Sequence, residues 1–219
     1  MNLLIKFPTR NRVDKFLQTL DLYVRYLDDK STKIIVSCDN DDESMKEDYI
    51  QEVLEQYENV ELHFGDNKSK IEAVNANLEN VDFDIILLAS DDMIPKVKGY
   101  DTIIKNKMKE LYPDTDGILW FNDGYQKNRL NTLCILGKKY YDRFGYIYHP
   151  HYHSVWCDNE FMDVGNILKK QTYIDEVIIE HQHPDWGYGL RDEIHTTNQM
   201  NEQYDFMVYN KRKSINFEL

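Results

Sequence analysis

The chain has 219 residues, of which 42% are hydrophobic and 30% charged, a balance typical of one globular domain with a sizeable core. Its net charge of −13 disfavours a surface built mainly to hold polyanions. Three widely spaced cysteines, Cys38, Cys134 and Cys157, argue against a disulfide framework and for a reducing compartment. We therefore expect a cytoplasmic protein.

The sequence contains no apolar run near the roughly 20 residues that a membrane span needs, so no transmembrane segment is expected. The short apolar patch at the N-terminus lacks a long hydrophobic region and a small-residue cleavage site, and it predicts a first strand and not a signal peptide. The sequence has no CxxC pair, so a structural zinc site is not expected either.

The first half alternates short apolar runs with amphipathic segments of helical period. Strands are predicted at 3–7, 33–38, 60–64, 84–89 and 117–122, and helices at 13–27, 50–57, 69–78 and 103–111. Strands that alternate with helices imply crossover connections and a mainly parallel sheet with helices on both faces. The predicted fold class is therefore α/β.

The second half is less regular. A strand is predicted at 131–136, a short helix at 138–144, a helix that ends near 169 and a strand at 173–181, followed by a polar C-terminal segment. An aromatic and histidine-rich loop covers 144–161. Because no internal repeat or linker is evident, we expect one domain over residues 1–219.

Polar motifs follow the predicted strands where each strand ends. They are Pro8-Thr9-Arg10, Asp39-Asn40-Asp41, Gly65-Asp66-Asn67 and Asp91-Asp92. In open parallel sheets, ligands bind outside the carboxyl ends of the strands. These motifs are therefore expected to meet at one ligand site.

Asp91 and Asp92 directly follow a core strand, and two adjacent carboxylates suit a hard divalent cation. The alternative is that they cap the next turn, where aspartate is common. A second metal signal is the HxH formed by His181 and His183, which strand alternation would place on one face with Val177 and Ile179. A carboxylate and imidazole set suits Mn²⁺ somewhat better than Mg²⁺ or Ca²⁺.

Basic residues lie near the same strand ends. Lys70 stands at a predicted helix N-terminus, where backbone N–H groups favour an anion, although Asn67 or Ser69 as an ordinary helix cap explains the segment equally well. Arg10 and Arg12 follow the first strand, and arginine forks bind phosphate well. The P-loop and GxGxxG patterns are both absent.

The segment WCDNEF carries two acids, Asp158 and Glu160, beside aromatic residues. Either is a candidate general base if it is held near an acceptor hydroxyl. The alternative is that Asp158 caps a helix that starts near Asn159, with Glu160 favouring the helix dipole.

The ordered set FPTRNR, CDNDD, GDNKSKIEAVNANL, LLASDDMIP, WCDNEF and EHQHP resembles the nucleotide-sugar-dependent glycosyltransferases of the GT-A fold. It is most similar to the family 2 type and its small phage and bacterial relatives, over roughly residues 1 to 185. The resemblance implies a nucleotide-binding half at 1–98 and an acceptor-binding half at 99–219.

The resemblance also implies roles for residues that bind the donor. Pro8, Thr9 and Arg10 match the segment that lines the nucleotide pocket. Asp39 matches the acid that contacts the base, and Lys70 the basic residue that approaches the diphosphate.

Further matches concern the metal and the base. Asp92 is the first candidate metal ligand and Asp91 a helper or ribose contact, although the aspartate usual in the family at position 89 or 90 is absent. Asp158 matches the base of the family, with Cys157 where a glutamate is common, and His181 and His183 match the histidine region that can complete the metal site.

The implied activity is a Mn²⁺- or Mg²⁺-dependent transfer of a sugar from a nucleoside-diphosphate sugar, with UDP as the expected nucleotide, to an acceptor hydroxyl. Inversion with Asp158 as base is expected. A glycan is the default acceptor, and a hydroxymethylated DNA base is the alternative. A nucleotidyltransferase and a non-catalytic carbohydrate-binding module are the rival functions, and the oligomeric state is left open.

Overall fold

The computed structural model describes residues 1–183, 187 and 193–219, the last range with side chains from residue 200 onward. Within this part of the chain the fold is built on a seven-stranded sheet and a separate two-stranded ribbon. The strands, numbered in chain order, are β1 (Leu3–Pro8), β2 (Lys33–Asp39), β3 (Val60–Gly65), β4 (Ile85–Leu88), β5 (Met93–Pro95), β6 (Ile118–Phe121), β7 (Ile135–Gly137), β8 (Gln171–Ile174) and β9 (Ile179–His181).

The large sheet has the order β3-β2-β1-β4-β7-β6-β8. Neighbouring strands run parallel except for β7, which is antiparallel to both β4 and β6. The prediction of a mainly parallel α/β sheet is therefore confirmed.

Helices cover both faces of the sheet. They are α1 (Val13–Tyr26), α2 (Asp48–Leu54), α3 (Lys70–Asn75), α4 (Tyr100–Leu111), α5 (Lys138–Asp142), α6 (Cys157–Ile167) and α7 (Glu193–Ser214). Alternate side chains of β1 point to opposite faces, so Ile5 packs with the α1, α2 and α4 side and Leu4 with the α3, α5 and α6 side. Burial on both faces explains why the strands are nearly continuous apolar runs.

The ribbon pairs β5 with β9 in antiparallel register, with Met93 opposite His181. The predicted strand at 173–181 is wrong as a single element, because β8 belongs to the large sheet and β9 to the ribbon. The alternation expected from Val177 to His183 also fails, since β9 spans only Ile179–His181. The ribbon itself was not predicted, because three-residue strands carry little periodic signal.

The C-terminal segment, expected only to be polar, contains the long helix α7. The three cysteines are buried and free, as their number and spacing predicted. Among the described residues, we find no helix with the length and apolar character that crossing a membrane requires.

Lys6 lies in the middle of β1 and is fully buried, with its ammonium hydrogen-bonded to the Ser37 hydroxyl, which in turn donates to the Asn77 side chain at 2.6 Å. Burial lowers the pKa of Lys6 to about 7, against the smaller opposing influence of Cys38 and Glu79. In the unfolded chain an ordinary lysine titrates near pH 10.4, at roughly the model-peptide value. Between these two values the unfolded state holds a proton that the folded state has lost, so stability rises with pH.

We therefore predict that Lys6→Met removes this rise. Relative to the wild type, the free energy of unfolding of the variant is highest below pH 7. This difference shrinks by about 1.4 kcal/mol per pH unit from pH 7 towards pH 10. Urea unfolding of both proteins across this range measures the difference, with Lys98→Met, at an exposed position, as the control. Parallel stability curves for wild type and Lys6→Met would show that Lys6 keeps its proton when buried.

Candidate functional site

A cavity of about 700 Å³ opens at the carboxyl edge of the parallel strands. Its walls come from the segments that follow β1, β2, β3 and β4, from the end of β9, and from the loop and first turn of α6. The lining includes ten of the eleven predicted site residues: Pro8, Thr9, Arg10, Asp39, Lys70, Asp91, Asp92, Asp158, His181 and His183. The topology thus brings together motifs that are up to 175 positions apart in the sequence, from Pro8 to His183.

Arg10 is held by two acids of the β2 end. Its guanidinium forms a two-pronged pair with Asp41, at 2.6 and 2.8 Å, and also bonds the Asp39 carboxylate. The other oxygen of Asp39 accepts from the Asn67 side chain at 2.9 Å. Arg10 therefore fixes the acidic loop after β2. Its guanidinium group is already bonded to carboxylates, contrary to the expectation that it binds phosphate.

Arg12 forms a comparable pair with Asp91, with Nη1 3.0 Å from Oδ1 and both side chains largely buried. Burial raises the pKa of Asp91, and so does the neighbouring Asp92, while Arg12 opposes the shift. The Thr19 hydroxyl donates to the Asp91 carbonyl at 3.0 Å. Asp91 is thus bonded to α1 through Thr19 and to Arg12, the residue that precedes this helix.

Asp92 meets His181 across the ribbon, with Oδ2 3.6 Å from Nε2. The Ser90 hydroxyl bonds the other carboxylate oxygen of Asp92. Burial alone would raise the pKa of Asp92, but His181, Ser90 and the charge of Lys70 outweigh it and hold this pKa well below its usual range. The carboxylate is therefore ionised at neutral pH.

His181 also faces a second acid. Its Nδ1 lies 3.9 Å from Oδ2 of Asp123, a buried residue whose carboxylate accepts from the Thr132 hydroxyl at 2.7 Å. The His183 ring follows at 5.7 Å between ring centroids. An imidazole between two carboxylates has the surroundings that commonly orient a metal-binding histidine.

The described residues offer only part of the ligand set of a divalent cation. Within residues 1–183, 187 and 193–219, no group of three or more His, Cys, Asp and Glu side chains is arranged to hold a metal ion. Asp92 and His181 nevertheless offer an oxygen and a nitrogen at one cavity wall. This set fits a cation that completes its coordination with ligand phosphates, as Mg²⁺ commonly does, and does not fit a self-contained protein cage.

Lys70 is the first residue of α3, next to the cap residue Ser69, whose hydroxyl accepts from the Glu72 N–H at 3.1 Å. Of the two caps considered, Ser69 is the correct one. The charge of Lys70 lowers the pKa of both Asp92 and Asp158, and all three side chains line the same cavity. Lys70 is therefore a basic group of the cavity that also holds the candidate metal ligands and the candidate base.

Asp158 lies in the first turn of α6 and lines the cavity. Burial raises its pKa above the ordinary aspartate value, although the Asn159 N–H at 2.9 Å and the charges of Lys70 and His181 oppose this. A raised pKa makes a carboxylate a better proton acceptor once it is ionised. Asp158 is not the helix cap, because α6 begins at Cys157 and the cap position belongs to Trp156.

Glu160 is placed elsewhere, contrary to the prediction of a second candidate base. It is 4% exposed, accepts from Arg212 Nε at 2.8 and 2.9 Å, and accepts from the Tyr152 hydroxyl at 2.8 Å. These bonds engage it in a buried ion pair between α6 and α7. Glu160 therefore joins α6 to α7 and does not line the cavity.

Sequence reasoning missed several polar residues of the site. Asp123 follows β6 at the same sheet edge, so the strand-end rule that found Asp39 and Asp92 could have found it. Asp123 contacts His181 from behind, whereas Ser154 and His153 line the cavity itself, from a loop whose backbone is bonded by Asp205 on α7. No local pattern links Asp205 to that loop, because 50 residues or more separate them.

Comparison with known proteins gives a match in structure alone. No protein-family model and no curated protein sequence matches the chain. The mannosyltransferase PcManGT from Pyrobaculum calidifontis, solved with GDP-Man and Mn²⁺, is similar with a TM-score of 0.62 and 16% identity over 85% of this chain. Residues 1–349 of S. aureus TarS, solved with UDP-GlcNAc, give a TM-score of 0.67 and 13% identity over 90% of this chain.

The chain spans only 58% of PcManGT and 61% of that TarS structure. A third similar structure is 4-diphosphocytidyl-2C-methyl-D-erythritol synthase from Anaerococcus prevotii, with a TM-score of 0.54 and 13% identity over 80% of this chain and 86% of its own. At these identities the likeness establishes the fold. The chain has the GT-A fold, as the sequence resemblance implied.

Proposed function

We propose that the protein is a glycosyltransferase that moves a sugar from a nucleoside-diphosphate sugar, with UDP as the nucleotide, to an acceptor hydroxyl. The observation that carries this proposal is the shared cavity in which Asp92, His181, Lys70 and Asp158 converge. The set combines groups that can offset the charge of a diphosphate with a partly buried acid whose pKa is raised. The similar structures solved with GDP-Man and UDP-GlcNAc support the same reaction class.

Donor binding is assigned to the half formed by residues 1–98. Thr9 and Asp39, with Pro8 and Arg10 beside them, line the part of the cavity next to β1 and β2 and would hold the nucleoside. Thr9 is 8% exposed, and its hydroxyl has no hydrogen-bond partner among the described residues, which suits a contact with a ligand. Lys70, at the N-terminus of α3, would contact the diphosphate.

Asp92 and His181, with His183 next to them, would hold a Mn²⁺ or Mg²⁺ ion together with diphosphate oxygens. The ion would offset the negative charge that builds on the diphosphate as it leaves. The Asp92 carboxylate is suited to this role because its pKa lies well below the usual range. Asp123 would orient His181 from the far side.

Asp158 would accept the proton of the acceptor hydroxyl as that oxygen attacks the anomeric carbon. The sugar passes through a transition state with oxocarbenium-ion character, as in glycoside hydrolysis. Attack from the face opposite the diphosphate inverts the anomeric centre. The half formed by residues 99–219, which contributes Asp158, binds the acceptor.

A glycan fits the acceptor side better than modified DNA. The cavity carries the carboxylates of Asp39, Asp41, Asp91, Asp92 and Asp158, and the chain has a net charge of −13. DNA binding depends largely on basic groups that neutralise phosphates.

The function is tested by a donor screen that measures release of nucleoside diphosphate, with and without Mn²⁺. UDP-sugars and GDP-mannose are incubated with the protein and a panel of glycan acceptors. Metal-dependent release of UDP supports the proposal. Release of pyrophosphate from a nucleoside triphosphate would indicate a nucleotidyltransferase, and binding of glycans without any turnover would indicate a carbohydrate-binding module.

We predict that Asp92→Ala abolishes Mn²⁺-dependent binding of UDP while the protein stays folded, because this carboxylate lies at the cavity wall and not in the apolar core. Calorimetric titration of UDP with and without Mn²⁺ measures the effect, and the melting temperature checks the fold. Asp82→Ala, at an exposed position away from the cavity, is the matched control. Normal Mn²⁺-dependent UDP binding by Asp92→Ala would show that Asp91-Asp92 forms a structural turn.

The same titration separates the two histidines. His181→Ala is expected to weaken Mn²⁺-dependent binding more than His183→Ala, because His181 faces Asp92 at 3.6 Å. Unchanged Mn²⁺ dependence in both variants and in the double variant would remove the histidines from the metal site.

We further predict that Asp158→Asn lowers the transfer rate by about 10²–10⁴-fold, the usual contribution of general-base catalysis, while UDP binds nearly normally. Glu160→Gln is the paired control, since it alters a carboxylate of the same helix that lies in a buried ion pair. We expect Glu160→Gln to lower the free energy of unfolding, measured by urea unfolding, and to leave the transfer rate unchanged. A near-wild-type rate for Asp158→Asn would exclude this residue as the base.

A further inference from the structure

The loop that enters α6 is held by one buried carboxylate. Asp205, on α7, is completely buried and accepts the backbone N–H groups of His153 at 2.8 Å and of Ser154 and Val155 at 2.9 Å each. Three N–H bonds to one carboxylate leave this loop little freedom, since charge-assisted bonds of this kind are strong. We call residues 153–155 the clamped loop.

The clamped loop turns directly into the helix that carries Asp158. Trp156, between them, has a left-handed backbone with φ 63°, a conformation unusual for a bulky residue. The Cys157 thiol lies 3.8 Å from the Ser154 carbonyl oxygen, so the loop folds back onto the helix start. These contacts restrain the backbone of the clamped loop next to the helix start that carries Asp158.

The clamped loop also carries a buried hydroxyl group, that of Ser154. It is 4% exposed and lines the cavity, yet its hydroxyl has no hydrogen-bond partner among the residues that the structure describes. A buried hydroxyl without a partner is unfavourable, and in native proteins such a group usually has a reason. A hydroxyl group that borders a cavity can form its hydrogen bond with a bound ligand.

We propose that the Ser154 hydroxyl hydrogen-bonds a hydroxyl of the donor sugar, and that Asp205 is the positioning residue that holds the clamped loop for this contact. The inference rests on the proposed glycosyltransferase function and names a specificity-determining contact within it. The chemical class of the ligand is the glycosyl group of a nucleoside-diphosphate sugar.

The proposed roles of the neighbouring residues and the burial of Ser154 favour the donor sugar over the acceptor. In the proposed reaction the transferred sugar lies between Lys70, assigned to the diphosphate, and Asp158, assigned to the acceptor. Ser154 precedes Asp158 by four residues and lines the same cavity. Ser154 is also nearly inaccessible to solvent, whereas an acceptor that enters from solvent would meet more exposed groups first.

The test compares each nucleotide with its sugar derivative. Calorimetry in the presence of Mn²⁺ gives the affinities of wild type and Ser154→Ala for UDP and UDP-GlcNAc and for GDP and GDP-mannose. The ratio of the two affinities within a pair is the gain due to the sugar. We expect Ser154→Ala to leave the nucleotide affinity unchanged and to reduce the gain due to the sugar by about 2- to 10-fold, the range for one hydrogen bond.

The controls separate the possible failures. Ser31→Ala, which removes an exposed hydroxyl outside the cavity, should change neither affinity. Equal losses for nucleotide and nucleotide sugar in Ser154→Ala, or no loss in either, would overturn the sugar contact. Failure of the wild-type protein to bind any of the four ligands would instead overturn the proposed function itself.

Asp205→Asn tests the positioning role. The amide keeps the size of the side chain but replaces one acceptor oxygen by a donor, so it cannot accept all three N–H groups. We expect the gain due to the sugar to fall while UDP affinity holds. A lower melting temperature with an unchanged gain due to the sugar would assign Asp205 to stability alone.

Discussion

The site depends on the neutralisation of carboxylates that the topology forces together. Parallel strands end at the same edge of the sheet, and here the segments after them carry Asp39, Asp41, Asp91 and Asp92 in a chain that is already strongly acidic. Like charges in partly buried surroundings raise each other's pKa and repel. Arg10 and Arg12, from the loop after β1, offset this by pairing with acids of the two neighbouring strand ends.

This pairing changes what the basic residues can do. A sequence motif with two arginines after the first strand suggests phosphate binding, but both guanidinium groups are engaged with carboxylates in the structure. Lys70, at the N-terminus of α3 and in the same cavity as Asp92 and Asp158, is therefore the residue to which the proposed diphosphate contact is given. The arginines contribute indirectly, because they fix the acidic loops that form the cavity walls.

The parts that follow from local pattern could be predicted from sequence. Apolar runs and helical spacing gave the parallel sheet, and the strand-end rule placed Asp39, Asp92 and Lys70 at one cavity. Long-range pairing could not be predicted in this way. The contact of Asp92 with His181 depends on a ribbon of two three-residue strands, and the engagement of Glu160 depends on a helix that the sequence showed only as a polar segment.

The two acids of WCDNEF lie on one helix but face different surroundings. Residues two apart on an α-helix point about 200° away from each other, so Asp158 and Glu160 cannot face the same side. One lines the cavity, and the other pairs with Arg212 on α7. The same α7 holds the loop before the helix through Asp205 and bonds Asp163 through the Tyr209 hydroxyl at 2.7 Å. The C-terminal helix therefore holds α6 and the loop before it through these three contacts, and with them the turn that carries Asp158, the proposed base.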